Sequence, residues 1–541
     1  MVSRRSFLGA VGAAGLAPLG RALEIPPAPT ESSAARARAA LSIRERAAGR
    51  EFEAPGEAES ANGDERRYPG FIGNFSKGLP HNGIGEVDPA ACRALLRGLD
   101  AESPIALEAG IEAVPLGGRQ KLVNPMAGMA FDLEGRDIQK LAAPPAPALA
   151  SAQRAAEMVE LYWMALCRDV AFADYAHHPL AKAAAAELDG LAAFDGPRRS
   201  GRVTAQCLFR GATPGDLVGP YVSQLFLTPF AYGQYLLDGR ITTFAPASDW
   251  MTAPAAWLAC QNGQGPFGLP IFDPEPRYFR NGRDIAAYVH SDQACEAFYN
   301  AGLRLYALNA PANPGNPYLQ LQKQSPFATF GIPHFLTLQA EAALRAVKAV
   351  FYQKWFVHRT LRPEAFGGLM QAVMARRADY PLHSSVLSSA AAAAVAARFG
   401  TYLHPQAFPE GCPQHPSYTQ AHGGVAGACA TILKAAFDGS VPWQALGADG
   451  LKVASPDGLS LADYSGADGA LVTVGGEINK LCGNIALARN FAGVHWRSDY
   501  VAGLLLGEAM ALTILADQRR TYGEAFTGFV VTKIDGTTVT V

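Results

Sequence analysis

Three stretches of this chain set cationic and imidazole side chains among apolar residues. This limits what the chain can fold into. The first reads Lys354-Trp-Phe-Val-His358-Arg359-Thr-Leu-Arg362-Pro363, the second His415-Pro-Ser-Tyr-Thr-Gln-Ala-His422-Gly-Gly424, and the third Arg489-Asn-Phe-Ala-Gly493-Val-His495-Trp-Arg497-Ser-Asp499. Burying lysine, arginine or histidine is costly unless something anionic meets the charge. The fold must therefore bring distant segments together around an anion. A tetrahedral oxyanion of the phosphate or vanadate kind suits such a set of donors.

The 541 residues are 49% hydrophobic, enough for a large core. Apolar periodicity predicts a mainly α-helical chain, with helices over 151–170, 284–308, 337–357, 384–399, 424–437, 475–491 and 500–522. A strand is expected over 200–208, and ordered Gly/Pro-rich loops over 212–220, 262–281 and 309–334. The tail Phe529–Val541 reads as a small C-terminal β-hairpin turning at Asp535-Gly536. Residues 23–65 read as a linker with one helix near 34–48, and residues 66–541 as a single catalytic domain.

Net charge is −2 and no Lys/Arg-rich run occurs, so nucleic-acid binding is not suggested. After the N-terminus no run of eighteen uninterrupted apolar residues appears, so no stable membrane span is expected. At the N-terminus, Ser3-Arg4-Arg5-Ser6-Phe7-Leu8 precedes an apolar stretch. This resembles a twin-arginine export signal over residues 1–22 and predicts an exported protein, periplasmic or secreted. The eight cysteines are scattered without zinc-site or CxxC spacing, and the sequence alone cannot pair them.

Each cluster has its own chemistry. On a helix Lys354, His358 and Arg362 would share one broad face, with Pro363 placing Arg362 at a helix end. Gly493 can break a helix between Arg489 and His495. Asp499, four residues after His495, can take a hydrogen bond from one ring nitrogen and leave the other as a lone-pair donor. That nitrogen suits attack on phosphorus or ligation of vanadium. His422 lies just before an apolar helical run, whose first backbone amides can hold an anion.

Taken together and in this order, the clusters resemble the vanadium-dependent haloperoxidases, whose site is shared with the type-2 phosphatidic acid phosphatases. Lys354 and Arg362-Pro363 match the first element of the family pattern, with the spacing of the algal bromoperoxidases. His422 matches the acid–base histidine, and Arg489 with His495 the last element. His415 matches a second active-site histidine. Arg210–Asp216, Asn281–Asp284, Phe330–His334 and Phe408–Gly411 extend the likeness over roughly residues 200–540.

The resemblance implies two four-helix bundles around a vanadate cofactor and assembly as a homo-oligomer. It implies His495 as the vanadium ligand, with Lys354, Arg362, Gln420, Ala421 and Arg489 around the oxyanion. His422 would accept a proton from hydrogen peroxide, and Lys354 would polarise the bound peroxide. Bromide or iodide would leave as hypohalous acid, to act on small organic acceptors. His415, Phe351 and Trp355 would shape the halide side, with Asp499 and Asp284 supporting the site from behind. One departure stands out: Gln420-Ala421 replaces the family's Ser-Gly. It keeps two alternatives open, an exported acid phosphatase on the same site and an oxyanion-binding homologue that does not halogenate.

Overall fold

The computed structural model describes residues 32–265, 268–447 and 450–541. The export signal expected over residues 1–22 lies outside the described residues. Among the described residues helices dominate, and the strands form three separate two-stranded antiparallel hairpins. The C-terminal hairpin is present, with Val530–Thr532 paired to Thr538–Thr540. Gly536 in its turn has φ +86°, a conformation glycine adopts without strain. The two hairpins at 230–237 and 452–463 have no counterpart in the sequence reading.

The core is organised around the helix Ala421–Ala436, which packs on Arg497–Gln518, Ile332–Tyr352 and Val474–Phe491. Its tightest crossing is with Arg497–Gln518. A Cβ on Gly427 would lie 2.0 Å from the Leu504 carbonyl, and one on Gly507 2.0 Å from the Gly424 carbonyl. Glycine at both places lets the two backbones touch. The starts of the two helices, which follow Gln420 and Trp496, are thereby drawn together. Arg497–Gln518 is long and apolar enough to cross a membrane, but it is a core helix with most of its length buried.

Several expectations are corrected. The helix expected over 284–308 is two helices, Gly282–Ser291 and Glu296–Ala307, with a turn at Asp292–Cys295 between them. Asp292 leaves the first helix in extended backbone, and Glu296 at the start of the second accepts from the Gln293 amide at 3.0 Å. The run at 384–399 likewise splits, because Ser389 caps a new helix at Ala390 by accepting from the Ala392 amide. No strand forms over 200–208; the segment is a series of turns, with only a bridge between Arg199 and Arg202. The helix expected near 34–48 is present as Ser33–Glu53, and the stretch around it is tied to the body. Arg50 pairs with Asp517 at 3.2 Å, Glu59 accepts from Gln353 at 2.7 Å, and Glu65 pairs with Arg359 at 2.7 Å.

Candidate oxyanion site

Lys354 and Arg362 reach the site from opposite sides of a break in the helical path. After Ile332–Tyr352 the chain widens into a π-helical turn, Gln353–His358. Arg359 then adopts φ +42°, and Arg362 is extended just before the helix Pro363–Met374. Pro363 is the cause, since it disfavours a helical conformation in the preceding residue. His358 falls away from the site. It bonds the Gln353 side chain at 3.1 Å and meets the Tyr418 ring edge-on, and burial pushes its pKa down to about 3.

His495 sits in the break between Val474–Phe491 and Arg497–Gln518, and Gly493 at φ +87° makes the break possible. Its Nδ1 lies 2.7 Å from Asp499 Oδ2, which also accepts from the Trp496 amide at 3.1 Å and the Ser417 hydroxyl at 2.5 Å. Its Nε2 lies 2.9 Å from Arg362 Nη1. A guanidinium can only donate, so Nε2 is the acceptor and the ring proton sits on Nδ1, facing Asp499. The buried electron pair of His495 thus points at an arginine, in the place where a ligand atom would be held.

The other cations gather round it. Arg362 also donates to His415 Nδ1 at 2.9 Å, to the His415 carbonyl and to the Val494 carbonyl. Lys354 Nζ donates to the Pro416 and Ser417 carbonyls at 2.8 and 2.6 Å. Arg489 donates to the Val289 carbonyl at 2.8 Å and lies over the Phe408 ring, while its Nε has no partner. All three are buried, and among the described residues none pairs with a carboxylate at salt-bridge distance. The consequence shows in their acidities. Burial, reinforced by Arg362 and Arg489, holds Lys354 well below the ordinary lysine range. Burial and the neighbouring cations hold His415 and His495 well below the ordinary imidazole value. Burial brings Arg362 down to about 10. Positive charge gathered without a counter-ion is what an oxyanion would neutralise.

The first turn of Ala421–Ala436 completes the surround. Gln420 provides no side-chain cap, so the amides of Ala421, His422 and Gly423 have no intrahelical acceptor. The Gln420 carboxamide turns away, donating to the Ala486 carbonyl at 3.1 Å, and its Oε1 has no partner. His422 is partly exposed, and its Nε2 lies 3.1 Å from Asp292 Oδ1. Phe351 faces His415, with ring centroids 5.2 Å apart.

Two expected residues stand elsewhere. Trp355 is fully buried edge-on against Phe75, its indole donating to the Val123 carbonyl, so it does not line the halide side. Asp284 is held by Thr243 and Arg280 rather than by Arg362 or Arg489. The sequence reading missed Asp292, Ser417 and Phe408 as neighbours of the site. Asp292 lies in the turn that the periodicity ran through, so only recognition of that break would have found it.

Fold and site together define a helical protein with an imidazole electron pair set among buried cations, a site suited to an oxyanion. No family model matches the chain. A vanadium-dependent bromoperoxidase of Corallina pilulifera is 36% identical over 94% of this chain and 99% of its own length. One of Corallina officinalis is 36% identical over 88% and 94%. Among solved structures, a homohexameric vanadate-dependent bromoperoxidase of Ascophyllum nodosum superposes with a TM-score of 0.86 at 29% identity, covering 98% of this chain and 95% of that one. The chain belongs to the family of vanadium-dependent bromoperoxidases.

Proposed function

We propose that this protein is a vanadate-dependent haloperoxidase that oxidises bromide or iodide with hydrogen peroxide to hypohalous acid. The observation that carries the reading is the electron pair of His495 Nε2, held among three buried cations without carboxylate partners. The donor set fits vanadate: one neutral imidazole nitrogen, three cations and an uncapped helix start. His495 would hold the vanadium, displacing the Arg362 N–H from Nε2, while Asp499 and Ser417 keep the ring proton on Nδ1. Lys354, Arg362 and Arg489 would balance the oxyanion's charge, and the Ala421 amide would donate to it. Bound vanadate supplies the activation of peroxide and the transfer of oxygen to halide. His422 Nε2, hydrogen-bonded to Asp292, would take and return the proton of the incoming peroxide. Phe351 and His415 form the flank on which the halide would approach.

The functional test is bromination of a dimedone-type acceptor by the vanadate-reconstituted protein, run beside phosphomonoester hydrolysis. Bromination that requires both vanadate and peroxide supports the reading. Hydrolysis without bromination would replace it with the phosphatase, and oxyanion binding without either activity would replace it with a carrier.

Two further outcomes follow from the geometry. Because Gln420 spends its amide on Ala486, Gln420→Ser is expected to add a short donor at the helix start. The gain is about 1–3 kcal/mol, roughly 5- to 150-fold in vanadate affinity, less the cost of the lost Ala486 bond. Unchanged or weaker binding by titration calorimetry would reject this. The second concerns protons. Lys354 and His415 are held low by burial and by the cations beside them, so their neutral forms are favoured. A bound anion relieves that repulsion and raises both values, so phosphate binding near neutral pH should take up protons. Calorimetry in two buffers of different ionisation enthalpy reads the sign; proton release or no exchange would contradict it.

Export through residues 1–22 is part of the same proposal, supported by the paired arginines ahead of an apolar stretch. So is self-association, supported by the exposed hairpin residues Tyr235 and Leu236, 77% and 76% accessible, and by the hexamer of the Ascophyllum relative. Light scattering on the purified protein reads the subunit number.

A further inference from the structure

Between Lys354 and Arg362 the chain is held in a form that its own sequence does not favour. Arg359 stands at φ +42°, a left-handed conformation that a non-glycine residue keeps only when its surroundings enforce it. Residues 65–77 supply that constraint, and they run antiparallel to it where Asn74 bridges Thr360. The Phe75 amide donates to the Arg359 carbonyl at 2.7 Å, and the Leu361 amide to the Gly73 carbonyl at 3.2 Å. Glu65 takes two hydrogen bonds from the Arg359 guanidinium, and Phe75 meets the Trp355 ring edge-on. The segment ends on Lys77, which is buried. We propose that residues 65–77 act as a splint for the oxyanion site, with Lys77 and Glu364 as the positioning residues that set Arg362 against His415.

The geometry places one ion pair where the site-bearing stretches meet. Lys77 Nζ donates to Glu364 Oε2 at 2.9 Å, to the Glu410 carbonyl at 2.9 Å and to the Cys412 carbonyl at 2.6 Å. Glu364 Oε2 also accepts from the Cys412 amide at 2.9 Å, and its Oε1 from the Cys260 thiol at 3.0 Å. Glu364 lies two residues after Arg362, and Cys412 three before His415. The pair therefore fixes the spacing of these two stretches close to the point where Arg362 donates to the His415 ring and carbonyl. Pro416 and Ser417, whose carbonyls hold Lys354, follow directly.

Stability alone does not explain such a pair. Burying a lysine and a carboxylate strips both of water, and an apolar pair of similar volume is often as stable. What the ion pair adds is direction. Its hydrogen bonds have set lengths and angles and tie together stretches distant in sequence, which packed methylenes cannot do. Lys77 and Glu364 are both buried, so solvent does not weaken the hold. Glu364 is also close enough to Arg362 for its charge to be felt there, so a test must separate position from charge.

The inference rests on the oxyanion reading of the site. Its test is calorimetric titration of the full chain with inorganic phosphate, which needs neither vanadium nor turnover. Lys77→Met is expected to weaken phosphate binding by roughly 10- to 100-fold at a temperature where the variant is folded, because the cations no longer converge on one point. The double variant Lys77→Met, Glu364→Gln removes both charges together and should bind as weakly. A lowered melting temperature with phosphate affinity unchanged would make the pair merely structural and overturn the proposal. Recovery of the parent affinity in the double variant would overturn it too, since charge alone would then account for the loss. Should Lys77→Met fail to fold, Glu65→Ala decides. Its ion pair with Arg359 is partly exposed and adds little stability. Phosphate affinity should still fall by about threefold or more, because the splint has lost its hold on Arg359. Binding at parent strength in that variant would overturn the splint. A parent protein that binds no phosphate would overturn the oxyanion reading and the splint with it.

Discussion

Replacing His495 with alanine is expected to bring vanadate-dependent halogenation down to the level of free vanadate and peroxide. The imidazole offers its Nε2 electron pair among Lys354, Arg362 and Arg489, with Asp499 holding the ring proton on Nδ1. Its loss would remove the proposed ligand of vanadium and leave the cations in place. One ligand's share of a four-ligand metal site is about 3 kcal/mol, so vanadate affinity should fall by roughly two orders of magnitude. Phosphate, which needs the cations but forms no such bond to the ring, should lose much less. This contrast separates a ligand from a residue that merely shapes the pocket. Equal losses for the two anions would count against His495 as the ligand. Retained bromination would dismiss it.

His422→Ala is expected to show the opposite division. Its imidazole is the partly exposed one at the site, held by Asp292 at 3.1 Å in the first turn of the helix Ala421–Ala436. A positioned proton acceptor contributes roughly 10²- to 10⁴-fold to turnover, so kcat for bromination should fall within that range. Vanadate affinity should change little, because the three cations and His495 remain. Steady-state kinetics at saturating vanadate, set beside a binding titration, separates the two effects. A large loss of affinity with turnover per bound vanadate unchanged would make His422 a binding residue instead.

Much of this site was legible in the sequence because its chemistry is unusual for an interior. Lysine, two arginines and two histidines in apolar stretches have few stable arrangements, and most of them place an anion at the centre. The break at Gly493 and the pairing of His495 with Asp499 could be read because spacing and backbone rules act locally. The path from Lys354 to Arg362 was harder. A helical wheel gave the right neighbours for the wrong reason, since the π-helical turn and left-handed Arg359 depend on tertiary contacts such as Glu65 with Arg359. The direction of the Gln420 side chain was not legible either, because the Ala486 carbonyl that captures it belongs to a helix more than sixty residues away. Trp355 and Asp284 went astray for a related reason. Proximity in sequence to a site residue says which segment a side chain belongs to, but not which face of that segment it leaves from. In the fold, helix existence was read well from periodicity, and helix ends poorly. The break at Asp292–Cys295 that supplies the partner of His422 carries no periodic signal at all.

The most direct test of the whole account is the position of vanadium in crystals soaked with orthovanadate. The metal is expected on Nε2 of His495, with the Arg362 guanidinium moved off that nitrogen and Lys354 and Arg489 turned toward the oxygens. Vanadium bound at another residue, or none at saturating concentration, would contradict it.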